Sequence, residues 1–105
     1  MNVFSVLNDE WVAKTEYQNE SGETWALNYF LKRFSGEDDE VLYGLKIDKS
    51  TPEGVLHESE ETFAVTDCRD DALIMANAFA KGSVQPVTLL EMADEWQSEK
   101  ELIGC

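Results

Sequence analysis

The sequence predicts an α+β fold: an antiparallel four-stranded sheet, a β-meander, followed by two C-terminal helices packed on one of its faces. Three observations point there. Apolar and polar residues alternate in several segments of the first half, and turn-forming residues separate those segments. The stretch from Thr62 to Trp96 instead carries helical spacing, bounded by cap and stop residues. Strands in succession, followed by helices in succession, segregate into a sheet with the helices on one side.

Taken in order, Met1 to Leu7 is apolar around Ser5 and too short to read as strand or helix, so residues 1–8 are an N-terminal segment of uncertain structure. From Glu10 to Tyr17, Trp11, Ala13, Thr15 and Tyr17 alternate with Glu10, Val12, Lys14 and Glu16, the pattern of a half-buried strand. Asn19-Glu20-Ser21-Gly22 supplies a turn, with Gly22 free to take positive φ. Thr24 to Phe34 is the clearest strand, with Trp25, Leu27, Tyr29 and Leu31 on its inward face. An acidic loop, Glu37 to Glu40, follows. Val41 to Lys49 resumes the alternation with Val41, Tyr43, Leu45 and Ile47 inward, and Thr51-Pro52-Glu53-Gly54 reads as a β-turn. The link from Val55 to Glu61 is long for a hairpin and reads as an ordered excursion. Thr62 to Thr66 is the expected fourth strand, with Phe63 and Val65 inward.

Asp67 is the expected cap of the first helix, with Asp70 and Asp71 placing negative charge at the positive end of its dipole. Ala72, Met75, Ala76 and Phe79 form its buried stripe, and Lys81 and Gly82 stop it. In the second helix Thr88 is the expected N-cap and Glu91 completes a capping box. Val87 and Met92 form a hydrophobic staple, and Leu89, Met92, Ala93 and Trp96 face the core. Residues 98–105 are expected to fray, with Ile103 joining the stripe only if the helix persists. The architecture requires Trp25, Tyr43, Phe63, Met75, Phe79 and Trp96 to be largely buried.

The chain has 105 residues, 43% of them hydrophobic and 10% aromatic, enough for one domain spanning 1–105 with its own core. Twenty-two acidic residues against eight basic ones give a net charge of −14. That balance leaves too little Lys and Arg to replace the counterions of a phosphate backbone, so direct nucleic-acid binding is not expected. It also disfavours an anionic membrane surface, and no stretch approaches the roughly 18 apolar residues of a membrane helix. MNVFSVLNDEW has no basic leader and does not read as a secretion signal. With only Cys68 and Cys105 and no CxxC, reduced thiols and a cytoplasmic location are expected.

The catalytic inventory is poor, and no catalytic, metal-binding or cofactor-binding residue is assigned. His57, the one histidine, lies in an acidic surface segment and reads as solvated. Cys68 is in the first turn of a helix, where the dipole favours thiolate, but Asp67, Asp70 and Asp71 oppose it, so an inert buried cysteine is expected. The runs Glu37–Glu40 and Glu58–Glu61 lack the alternating ligands and central glycine of a calcium loop. The scattered glycines form no phosphate-cradling loop, and no cofactor is expected. The outer sheet face offers more. Val12, Phe30, Phe34 and Leu42, with Ala26, point away from the expected helices as a candidate interface. Either the first seven residues, through Val3, Phe4, Val6 and Leu7, or a second copy forming a homodimer would cover it.

Three segments together resemble a family of small uncharacterised domains from clostridia-like Gram-positive bacteria. They are Tyr43-Gly44-Leu45-Lys46-Ile47, then Ala64-Val65-Thr66-Asp67 leading into a helix, then Val84-Gln85-Pro86-Val87-Thr88-Leu89 with Asp94-Glu95-Trp96 beyond. The resemblance extends over roughly residues 10 to 97, and Thr88 stands where many relatives carry His. It implies a cytoplasmic bacterial protein with this order of elements, and no activity or site residue to carry over.

Two functions remain, with a third behind them. The leading one is a small acidic, non-enzymatic interaction or regulatory protein whose partner has a basic surface. The alternative is a small-molecule binding protein or minor enzyme with a pocket between sheet and helices, which an open polar cavity there would favour. The third is an acidic mimic of DNA, which needs carboxylates spaced like phosphates.

Overall fold

The alternating segments pair in chain order. A computed structural model describes residues 5–36 and 38–99, with side chains described between 9 and 96. Its strands are β1 (Ser5–Gln18), β2 (Thr24–Ser35), β3 (Val41–Ser50) and β4 (Leu56–Glu61), joined antiparallel in the order β1-β2-β3-β4. Helix α1 (Arg69–Lys81) follows, then a single 3-10 turn (Pro86–Thr88) that leads directly into helix α2 (Leu89–Glu99). This is an α+β fold, a meander sheet followed by two helices.

The hairpin turns are built as their sequences dictate. The Asn19 side-chain oxygen accepts the N–H groups of Ser21 and Glu23, and Gly22 takes φ 83°. Thr51 closes the β3–β4 turn through its hydroxyl and backbone, with Gly54 at φ 97°. In the acidic loop the Glu40 carboxylate accepts the Asp38 N–H, so this acid helps to build the turn.

The core lies on the odd-numbered face of β2 and β3. Leu27, Tyr29, Leu31, Leu45 and Ile47 pack against Ala72, Met75, Ala76 and Phe79 of α1 and Leu89 and Ala93 of α2. Both helices therefore cover one face. Thr15 of β1 donates its hydroxyl to the Ala80 carbonyl, and Tyr29 donates its own to the Val84 carbonyl at 2.8 Å. Burial pushes the Tyr29 phenol well above its ordinary range, with Tyr17 adding to the effect.

Several expectations fail, each for a local reason. β1 begins at Ser5 rather than Glu10, and its pairing with β2 slips between Val6 and Asn8 and again between Trp11 and Ala13. Each slip inserts one residue and exchanges the faces beyond it. Trp11 consequently pairs with Phe30 on the outer face and is 57% exposed, whereas Val12 packs against the core instead of pointing away from it. The covering role expected of Val3 and Phe4 lies outside the described residues, as does Ile103; the side chains of Val6 and Leu7 likewise lie outside them.

The fourth strand is Leu56–Glu61, the segment read as an excursion, and not Thr62–Thr66. LHESEE shows no apolar alternation because it is a short edge strand, where charge is tolerated and useful. Beyond it the ladder is distorted. Thr62 pairs with Leu45, its hydroxyl accepting the Leu45 N–H, and the chain then loops out before Val65 and Thr66 both return to bond Tyr43. Phe63, thrown outward by this distortion, is 83% exposed. Met75 and Phe79 are buried, while Trp25, Tyr43 and Trp96 are half-buried at the margins of the core.

Both helix starts also differ. Cys68, not Asp67, occupies the N-cap position of α1 without a side-chain cap bond, because the Thr66 hydroxyl takes the Cys68 N–H as the chain leaves its bridge. Asp70 and Asp71 sit in the first turn, as the dipole favours. At α2 the 3-10 turn intervenes, and the Thr88 hydroxyl donates back to the Gln85 carbonyl at 3.3 Å instead of accepting an N–H ahead of it. Val87 is 77% exposed, so it forms no staple with Met92. Cys68 is buried, as expected; Cys105 lies outside the described residues.

Candidate interaction surfaces

Three surfaces gather clusters of polar or exposed apolar side chains. The outer face of the sheet is the first. Phe30 and Leu42 are half-buried there and Phe34 is buried, with Phe34 paired to Leu42 across β2 and β3. These aromatics underlie a ladder of charge. The Lys32 side chain, only 6% exposed, lies between Asp9 at 3.4 Å and Glu61 at 3.2 Å. Lys46 meets Asp9 at 3.3 Å and Asp48 at 3.9 Å, and Ser59 donates to Asp48. Each ammonium also lies over a ring, Lys46 over Phe30 and Lys32 over Phe34. The register explains the ladder: Asp9 opposes Lys32 across β1 and β2, and Glu61 opposes Lys46 across β3 and β4. Of the four candidate interface residues, Phe30, Phe34 and Leu42 share this face and Val12 does not; Trp11 takes its place, its indole N–H bonded to Asn28.

A second cluster lies on the helix side, at the end of the sheet near the β1–β2 and β3–β4 turns. Lys49 lies 4.8 Å from the centre of the Trp25 ring and 5.9 Å from that of Tyr17, and pairs with Glu58 at 3.5 Å. Burial opposes its charge, but Tyr17 and Glu58 outweigh that and raise its pKa. His57 is exposed and stacks at a tilt on Trp25, 4.8 Å between centroids, while the Tyr17 hydroxyl donates to Gln85. His57 is thus part of a packed aromatic edge. At the other end of the helix layer Arg69 grips Glu10 at 2.6 Å, a bond that raises the guanidinium pKa further.

The third surface is a groove made of two successive clefts, one between β4 and the 3-10 turn and the other between the segment after β4 and α2. A cleft of about 330 Å³ is lined by Glu58, Ser59, Glu60, Pro86 and Val87. A second, of about 180 Å³, is lined by Thr62 to Val65 on one side and Leu90, Ala93 and Asp94 on the other. Residues 58–60 then 62–65 form one wall, and 86–87 then 90–94 the other, so the two clefts follow one another along the same pair of segments. Phe63, Val87 and Leu90 are exposed on its walls. The interior between sheet and helices is filled instead: Leu27, Leu31, Ile47, Ala72, Met75, Ala76 and Leu89 have no exposed surface.

No helix of the described residues is long and apolar enough to cross a membrane. The model of a family of unknown function, DUF6514, matches residues 8–99. The chain belongs to this family. The DUF6514 match runs from β1 to the last residue of α2, so it takes in all four strands and both helices. No curated protein and no solved structure matches the chain. The DUF6514 fold thus places surface residues that sequence reading passed over. Lys32, at an even-numbered position of β2, reads as an outward strand lysine, yet its side chain is nearly buried between Asp9 and Glu61. Leu90 is detectable as an apolar residue off the buried stripe of α2, three residues after Val87, which the staple reading turns inward.

Proposed function

We propose that this protein is a small, non-enzymatic interaction module that engages a protein partner with a basic surface. The observation that supports this reading is where the excess charge lies. Lys14, Lys32, Lys46, Lys49 and Arg69 each meet a carboxylate of the sheet, so the sheet largely neutralises itself. Helix α2 carries Glu91, Asp94 and Glu95 with no Lys or Arg anywhere between Leu89 and Glu99. The surplus of the −14 charge therefore collects on the loops and on the helix layer, where it is free to steer a cationic partner. The filled interior argues for a binding surface over an enclosed ligand pocket. A cytoplasmic, bacterial setting fits the same reading.

Affinity capture from native cell extract tests it. Basic proteins should be retained at low salt and released as ionic strength rises towards about 0.5 M, where charges are screened within a few ångströms. Retention of no basic protein, or retention indifferent to salt, contradicts the proposal. A second reading, self-association through the outer face, is favoured by the exposure of Trp11 beside Phe30. The sedimentation mass of the protein alone decides it, since a monomer removes that reading.

A further inference from the structure

We infer that this groove, running from between β4 and the 3-10 turn to between residues 62–65 and α2, is the docking site for an extended segment of that partner in which lysine or arginine alternates with apolar residues. The inference rests on the basic-partner reading above and adds to it a site and a ligand pattern. Three features carry it. The groove has an apolar floor and lip: Pro86 and Ala93 are buried at its base, while Phe63 is 83%, Val87 77% and Leu90 50% exposed. Exposed large apolar residues gathered along one groove mark an interaction site far more often than the same residues scattered singly.

The rim is acidic. Glu58 and Glu60 line one cleft and Asp94 the other, and only Glu58 of these meets a cation among the described residues. A segment alternating cationic and apolar side chains presents each kind to one side, apolar to the floor and cationic to the rim.

A second copy of this chain is the wrong occupant on charge. The β4 edge presents Glu58, Glu60 and Glu61, and pairing two such edges would set like charges opposite each other. The edge is also partly closed to strand pairing, because the Glu60 carboxylate accepts the Glu61 N–H at 3.0 Å. Recognition therefore falls to side chains in the groove rather than to a backbone ladder.

The test uses the full chain and two labelled probes. One is a peptide alternating lysine with valine, of about eight residues, since the wall from 58 to 65 spans roughly 25 Å at the rise of a strand. The other is a lysine homopolymer of equal charge. The alternating peptide should bind more tightly than the homopolymer. Leu90→Ser and Phe63→Ser, both at exposed positions, should each weaken the peptide about ten-fold while leaving homopolymer binding unchanged, the signature of an anchor in a groove. Equal binding of both probes, indifferent to either substitution, overturns the groove and leaves the basic-partner reading standing. Binding of neither probe overturns both. A dimer that Leu90→Ser dissociates overturns the inference in favour of a second copy.

Discussion

At the scale of single residues, Gly44 shows how a small side chain fixes the course of the backbone. A Cβ built there would lie 2.5 Å from the Phe63 carbonyl oxygen and 2.7 Å from the Thr62 hydroxyl. The first contact is with backbone, which cannot swing aside as a flexible side chain would. Gly44 is thus what allows the distorted segment after β4 to close over β3, and a glycine within a strand commonly marks such an approach. Gly44→Ala should destabilise the fold by about 1–3 kcal/mol, the usual cost of forcing volume into a packed site. Urea denaturation measures it, and an unchanged midpoint would show that the segment moves freely. Phe63 is instructive beside it. In sequence, Phe63 and Val65 alternate with polar residues and read as a strand facing the core, yet the exposed ring shows that periodicity over five residues is too short to detect a bulge.

At the scale of elements, legibility followed the number of repeats of a pattern. β2 and β3 were readable because their alternation persists over ten or more residues and both ends carry turn residues. β1 was readable as a strand but not in phase, since nothing in its composition announces the two slips that turn Trp11 outward and Val12 inward. β4 was not readable at all, because an edge strand with acidic side chains lacks the pattern that burial imposes. The start of α2 failed in a subtler way. Thr88 and Glu91 have capping-box spacing, but Pro86 opens a 3-10 turn one turn early and draws the Thr88 hydroxyl back to Gln85. Thr88→Ala should therefore cost less than about 0.5 kcal/mol, in the range of surface substitutions and below the roughly 1 kcal/mol of a true N-cap. A larger loss in a thermal melt would mean that the hydroxyl caps the helix in solution.

At the scale of the whole molecule, two groups in different parts of the structure give stability the same dependence on alkaline pH. Tyr29 ties β2 to the chain between the helices through the Val84 carbonyl, and its burial raises the phenol pKa. Lys49 ties β3 to β4 and to the aromatic edge, where Tyr17 and Glu58 overcome the cost of burial and raise the ammonium pKa. For each, the folded state holds its proton more tightly than the unfolded chain, where Tyr and Lys titrate near about 10 and 10.4. Below those values both states are protonated and the stabilisation is complete. As pH rises past them the unfolded chain releases its protons first, and stability falls until the folded groups titrate in turn. The Tyr29 proton contributes a limiting slope of about −1.4 kcal/mol per pH unit, and Lys49 adds in the same direction. The urea midpoint should thus decline from about pH 10 upward, and the Tyr29 phenol should ionise only as the chain unfolds, which tyrosinate absorbance follows. Tyr29→Phe removes one of these protons together with the Val84 bond. It should lower stability at neutral pH yet flatten the alkaline decline, and a decline parallel to that of the original chain would show that the Tyr29 proton does not link the core to pH.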